Sequence, residues 1–130
     1  MNRVLNLAVV AAATLIIANS KADAAVVDIT EGSTSGYTMT DGNTYVVKNS
    51  VAFSNTTAGG SGMSVADNAT VVLYVPTNVT LTAIGANGSG QTGGGAGIRV
   101  PETSTLIITG EGTVNATGGN AGNGGNGRDG

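Results

Sequence analysis

The stretch MSVADNATVVLYVPTNVTLTA, residues 63–83, sets the pattern from which the fold of this 130-residue chain is predicted. It contains three short apolar segments, and residues typical of turns separate them. The segments begin eight residues apart, at Met63, Val71 and Val79. Short runs of β-branched and apolar residues between turn residues indicate strands rather than helices.

The same three-segment unit recurs on both sides of this stretch. Downstream, residues 98–116 read IRVPETSTLIITGEGTVNA, and three pairs align 35 residues apart: Val65 with Val100, Val71 with Leu106, and Leu73 with Ile108. Upstream, three pairs align 26 residues apart: Met39 with Val65, Tyr45 with Val71, and Val47 with Leu73. The glycine-rich runs 85–97 and 118–130 follow the second and third units.

Three strands and a turnaround per unit are the pattern of one coil of a parallel β-helix, in which like residues of successive coils stack inside. An antiparallel β-sandwich also has short strands at this spacing, and a disordered, low-complexity chain is a third alternative. Because the units repeat in register, we predict an all-β fold, a right-handed parallel β-helix (solenoid) of about three coils. Residues 25–29 are expected to form a starting or capping strand.

The N-terminus has the features of a secretory signal peptide. A short positive region containing Arg3 precedes the apolar run Val4–Ala18, and Ala22-Asp23-Ala24 supplies the small residues of a cleavage site. The apolar run is shorter than the ~20 residues of a membrane span. We therefore expect cleavage after Ala24, a secreted or cell-surface protein, and no transmembrane span once the signal peptide is removed.

These features predict three regions. Residues 1–24 are the cleaved signal peptide, residues 25–117 form the coils, and residues 118–130 form a glycine-rich loop. The loop reads in Gly-Gly-Asn triplets, which fit either a flexible segment or polyglycine-II-like packing, and we favour the flexible segment. Since a solenoid needs polar caps at its ends and none follows residue 117, we expect this chain to be the N-terminal part of a longer array.

Composition limits the chemistry available to the chain. Cysteine and histidine are absent, so disulfides, a thiol nucleophile and a histidine base are excluded. Loss of Arg3, Lys21 and Asp23 with the signal peptide changes the net charge from −3 to −4, because two positive charges and one negative charge are removed. The remaining basic residues are scattered, which argues against nucleic-acid binding. This composition favours a non-catalytic protein over an enzyme.

Three acidic residues, Asp41, Asp67 and Glu102, fall at one equivalent turn with spacings of 26 and 35 residues. Stacked carboxylates repel one another, and Ca²⁺ would relieve that repulsion, so these residues are a candidate calcium site. The alternative interpretation is that these residues are ordinary turn residues, since such residue types are common in turns. No other cofactor is indicated, no catalytic residue is assigned, and the ligand-binding residues are unknown.

The chain contains two further polar patterns. The chain has five N-x-S/T sequons, at which a eukaryotic secretory route would add glycans: Asn55, Asn68, Asn78, Asn87 and Asn115. Thr44, Thr70 and Thr105 are spaced as a threonine ladder, which on a flat β-helix would suit ice binding. Corner or buried threonine ladders are the ordinary alternative.

The segment GIRVPETSTLIITGEGTVNATGG, residues 97–119, resembles a repeat of secreted, glycine-rich parallel β-helix surface proteins, which are adhesin-like or carbohydrate-binding. The resemblance covers residues 63–127 well and residues 36–62 loosely. It implies a non-catalytic, structural, adhesive or polysaccharide-binding role, with an extracellular polysaccharide or a host or cell surface as partner. The alternatives are the N-terminal portion of a β-helix polysaccharide lyase or glycoside hydrolase, and an ice-binding protein or structural spacer.

Overall fold

The structure, a computed structural model, describes residues 24–124, and within this range it contains strands and turns but no helix. The ten strands are β1 (Val26–Ile29), β2 (Tyr37–Met39), β3 (Thr44–Val47), β4 (Val51–Phe53), β5 (Met63–Val65), β6 (Thr70–Tyr74), β7 (Thr80–Ile84), β8 (Ile98–Arg99), β9 (Thr105–Thr109) and β10 (Thr113–Thr117). The predicted signal peptide lies outside the described residues except for Ala24. No helix in the described range is long and apolar enough to cross a membrane.

The strands form three sheets in which every strand pair is parallel. One sheet has the order β1-β3-β6-β9, the second β4-β7-β10 and the third β2-β5-β8. Each sheet therefore takes one strand from each successive unit of the chain. The prediction of an all-β fold is confirmed, and the antiparallel sandwich considered as an alternative is wrong, because its sheets would pair strands in opposite directions.

The predicted 35-residue offset between the second and third units is confirmed in two sheets, whereas in the remaining sheet β7 pairs with β10 at an offset of 33 residues. Leu73 pairs with Ile108 in one sheet and Met63 pairs with Ile98 in another. The strand at residues 26–29, expected to start the stack, pairs with β3.

The 26-residue offset between the first two units holds in only one sheet. Met39 pairs with Val65 as predicted, but Tyr45 pairs with Leu73, 28 residues on, and not with Val71. The segment from Met39 to Tyr45 is two residues shorter than the segment from Val65 to Leu73, which joins their partners in the second unit. A slip of two residues keeps every side chain on its own face of a strand, so the apolar pattern did not reveal it.

All three sheets contribute side chains to one core. Met39, Leu73 and Leu81 come from different sheets, and each is fully buried in the same cluster. In the first unit the core is aromatic: the ring of Tyr37 lies 6.0 Å from that of Tyr45, edge to face, and 5.0 Å from that of Phe53. With no disulfide available, this shared apolar core is the main source of stability.

The four-stranded sheet is buried on both of its faces at its centre. Val71 and Leu73 point into the core, and the intervening Val72 is also fully buried, packed against Ala24 and Ile107. By contrast, β7 alternates strictly, with Leu81 and Ala83 buried and Thr80, Thr82 and Ile84 facing outward. The sheet β4-β7-β10 therefore presents its outer face to solvent.

Candidate functional site

Each of the three acidic residues proposed as a calcium site lies in the turn between the first and second strands of its unit. The carboxylate of Asp41 accepts a hydrogen bond of 2.8 Å from the backbone N–H of Thr70. Asp67 and Glu102 keep their 35-residue offset, since the adjacent Asn68 N–H donates to Thr103 Oγ1. The described residues contain no group of three acidic side chains placed to hold a metal ion.

The prediction of a threonine ladder of Thr44, Thr70 and Thr105 is wrong for Thr44. Thr70 pairs with Thr105 as expected, but Thr44 pairs with Val72 because of the two-residue slip described above. Thr44 is fully buried, and its hydroxyl has no hydrogen-bond partner within the described part of the chain. It is therefore not part of an exposed hydroxyl array.

The five sequon asparagines lie in different surroundings. Asn68, Asn78, Asn87 and Asn115 are exposed, so their side chains are accessible. Asn55 is half-buried, and its Nδ2 atom donates to the carbonyl of Ser61 at 3.0 Å. A glycan attached to Nδ2 would compete with that bond, so Asn55 is the sequon least suited to modification.

The glycine-rich loops pack on one another through their backbones. Loop 118–124 is joined to loop 85–97 by bonds that include Gly119 N–H to Gly95 O at 2.8 Å and Gly122 N–H to Thr92 O at 3.0 Å. A Cβ on Gly95 would lie 2.0 Å from the carbonyl oxygen of Gly60, and one on Gly119 would lie 2.1 Å from that of Ala86. Residues 118–124 are thus held in a layer, which differs from the flexible segment predicted.

A polar cavity of about 450 Å³ opens between these two loops, and residues 87–90 and 120–123 line it. Its side-chain polar groups come from Asn87, Ser89, Asn120 and Asn123. Asn87 Oδ1 accepts from the backbone N–H of Asn120 at 2.8 Å, and Gly88 N–H donates to the Asn120 carbonyl at 2.7 Å. Amide and hydroxyl groups in this arrangement can donate to and accept from a hydroxyl-rich ligand.

The outer face of β7 and β10 leads directly into this cavity. On this face Thr80 pairs with Thr113, Thr82 with Asn115, and Ile84 with Thr117. Both strands then continue into the glycine-rich loops. We call the surface formed by these six residues and the cavity the neutral polar face. Segments 80–90 and 113–124, which build it, contain no charged residue.

The neutral polar face was only partly foreseeable from the sequence. The T-x-T pair at Thr80 and Thr82 was visible, but without the strand register its partners Thr113 and Asn115 were not. The tyrosines supply no exposed stacking platform beside it. Tyr45 is buried, and its hydroxyl accepts a hydrogen bond from Thr40 N–H at 2.7 Å.

Comparison with protein-family models found no match, and comparisons with curated proteins and with solved structures likewise found none.

Proposed function

We propose that this chain is a non-catalytic, secreted or cell-surface parallel β-helix that binds an uncharged polysaccharide on its neutral polar face. The observation that carries the proposal is the chemistry of that face. Its strands and loops present hydroxyl, amide and backbone groups together with one exposed isoleucine, Ile84, and no charge.

The β-helix in this proposal is supported by the order of the strands. Successive units place their first strands in one sheet, their second strands in another and their third strands in the remaining one. The three sheets enclose a single core. A coil that advances by one strand per sheet in each turn accounts for both features. Such a stack repeats similar outward groups at ~4.8 Å, the spacing of neighbouring strands.

The class of ligand follows from the surface groups. An acidic polymer would need cations, and a basic polymer would need carboxylates, to offset the loss of water around their charges. The neutral polar face offers neither. Thr82, Asn115 and Asn120 carry groups that match sugar hydroxyls, and Ile84 can contact the apolar C–H side of a sugar ring. An uncharged polysaccharide is the extended ligand that fits these groups.

A glycan array tests this proposal. The protein is produced in a host without N-glycosylation, so that Asn87 and Asn115 stay unmodified, and is applied to neutral and acidic polysaccharides at low and high salt. We expect binding to neutral polysaccharides that is unchanged by salt, because screening weakens only charge–charge attraction. Binding confined to acidic glycans and lost at high salt would overturn the proposed ligand class.

Repeating the array with a calcium chelator separates the neutral polar face from the acidic turn. Loss of binding with chelator would shift the site toward Asp41, Asp67 and Glu102. Release of reducing ends from a bound polysaccharide would instead favour the enzyme considered as an alternative. Absence of binding to every glycan would leave the structural spacer, and growth inhibition of ice crystals would then identify the ice-binding alternative.

A further inference from the structure

Two of the asparagines that line the polar cavity are each followed by glycine. Asn87 precedes Gly88 in one loop, Asn123 precedes Gly124 in the other, and both asparagines are exposed. Because glycine lacks a Cβ, its backbone nitrogen can approach the amide carbon of the preceding asparagine side chain closely. Whether that nitrogen can attack the amide depends on how freely the intervening peptide can turn.

The peptide between Asn87 and Gly88 is held by three hydrogen bonds. Asn87 Oδ1 accepts from Asn120 N–H at 2.8 Å, and Asn87 O accepts from Gly59 N–H at 3.1 Å. Gly88 N–H donates to Asn120 O at 2.7 Å. The site is also tightly packed, since a Cβ on Gly88 would clash with the carbonyl oxygen of Thr92. This peptide can turn only if the two loops separate.

The peptide between Asn123 and Gly124 is much less restrained. Gly124 N–H donates to Gly90 O at 2.8 Å, and within residues 24–124 neither Asn123 nor Gly124 makes another hydrogen bond. Gly124 has a φ of 72°, and a Cβ on it would have no atom within 4 Å. This peptide can therefore turn into open space once a single hydrogen bond has opened.

We propose that Asn123 is a site of spontaneous covalent modification, at which deamidation converts the side-chain amide to a carboxylate. The Gly124 nitrogen loses its proton and bonds to Cγ of Asn123, and the amide nitrogen leaves as ammonia, which closes a succinimide ring. Water then opens one of the two C–N bonds of the ring and gives aspartate or isoaspartate. Water is the one co-reactant, and no atom is oxidised or reduced.

The reaction changes the charge of the cavity. Segments 80–90 and 113–124 contain no charged residue before it. Both products are ionised at neutral pH, because aspartate and α-carboxyl groups have pKa values below about 4. The cavity therefore changes from neutral to anionic as the protein ages. This inference concerns the chemistry of Asn123 and does not depend on glycan binding.

The hydrogen bonds set the expected contrast between the two sites. Three must open at Asn87 and one at Asn123, a difference of two. At about 1 kcal/mol for each hydrogen bond and about 1.4 kcal/mol for each factor of ten, the reaction at Asn87 should be about thirtyfold slower. In the unfolded chain the two pairs are chemically alike and should react at similar rates.

Peptide mapping by mass spectrometry tests the site. The protein carries Asn126→Gln, which removes a third Asn-Gly pair outside the described residues, and is incubated at mildly alkaline pH with and without urea. Without urea we expect deamidation at Asn123 to be about thirtyfold faster than at Asn87, and with urea we expect similar rates. Equal rates in the folded protein would overturn the proposal. So would an Asn123 rate no faster than that of Asn120, which precedes alanine.

Native isoelectric focusing of the same incubations tests the change of charge. The aged protein should form a band with one additional negative charge. Asn123→Gln should form that band much more slowly, because the longer glutamine side chain disfavours closure of the ring, and its far-UV circular dichroism should be unchanged. Asn115→Gln is the matched control, since Asn115 is also exposed but precedes alanine, and it should acidify like the unmodified protein. An Asn123→Gln variant that acidifies at the unmodified rate would contradict the assignment.

Discussion

Gly95 is the position at which the packing of the glycine-rich loops is most sharply tested. Its backbone lies between two neighbours: Gly95 N–H donates to Ala86 O, and Gly95 O accepts from Gly119 N–H, both at 2.8 Å. Replacing Gly95 with alanine would place a methyl group 2.0 Å from the Gly60 oxygen. Since Cβ contacts essentially never fall below 3.0 Å, the two backbones must separate by at least 1.0 Å, the difference of these distances.

That separation sets the size of the expected effect. Overpacking a rigid site costs about 1–3 kcal/mol, and each backbone hydrogen bond weakened by the shift costs up to about 1 kcal/mol. We therefore expect Gly95→Ala to lower the free energy of unfolding by about 3 kcal/mol, which in a domain of this size lowers the Tm by roughly 15 °C.

Gly93→Ala is the matched control, because a Cβ at Gly93 would have no atom within 4 Å. It should leave stability unchanged or raise it by up to about 1 kcal/mol, as alanine restricts the unfolded chain. Urea unfolding followed by far-UV circular dichroism compares the two variants directly. Equal stability of the Gly93 and Gly95 variants would refute the close backbone packing and restore the flexible loop.

Substitutions at three further sites test the core, with a control on the outer face, one titrating group and one turn. Leu81→Ala should cost about 3 kcal/mol in urea unfolding because Leu81 is fully buried, whereas Thr82→Ala on the outer face should cost less than about 1 kcal/mol. Burial, and secondarily the neighbouring Tyr45, raises the pKa of the Tyr37 hydroxyl above its ordinary value of 10.0. Because the folded protein favours the neutral hydroxyl, the free energy of unfolding falls as the pH rises above 10.0 toward the raised pKa. Tyr37→Phe should therefore flatten the fall in unfolding free energy between about pH 9 and 11, and an unchanged slope would contradict this cause. Ser104 Oγ donates a hydrogen bond to Ala66 O and accepts one from Ala69 N–H. Ser104→Ala should therefore lower the free energy of unfolding by about 1–2 kcal/mol, and Ser104→Thr, which keeps the hydroxyl, should lower it less. Equal losses of stability in the two variants would indicate that these hydrogen bonds contribute little.

The strands could be predicted well from the sequence because turn residues separate the apolar segments. The segments that begin at Met63, Val71 and Val79 form strands at Met63–Val65, Thr70–Tyr74 and Thr80–Ile84. Between the second and third units, the first and second strands pair at the predicted offset of 35 residues, whereas the third strands pair at 33. Between the first and second units, the connections from the first to the second strand differ in length by two residues, and a period-2 pattern cannot detect a slip of that size.

The candidate site was harder to predict because it depends on pairing rather than on composition. Asp41, Asp67 and Glu102 lie in equivalent turns, but the hydrogen bond from the Thr70 N–H to the carboxylate of Asp41 has no counterpart in the spacing of the sequence. The neutral polar face depends on the 33-residue offset that joins Thr82 to Asn115. Identical residues do recur at that offset, Thr80 with Thr113 and Ala83 with Ala116, but the apolar segments align at 35 residues, so the register of β7 and β10 was needed to pair Thr82 with Asn115.

The most direct test of the central claim is the affinity of the purified protein for its best neutral polysaccharide, measured by titration calorimetry on two double variants. Thr82→Ala with Asn115→Ala removes two side-chain polar groups from the neutral polar face. Thr70→Ala with Thr109→Ala removes two from the four-stranded sheet and serves as the control. We predict that the first variant binds about tenfold more weakly, equivalent to about 1.4 kcal/mol, and that the second binds as tightly as the unmodified protein. Equal affinities for the two variants would show that the polysaccharide does not bind on the neutral polar face.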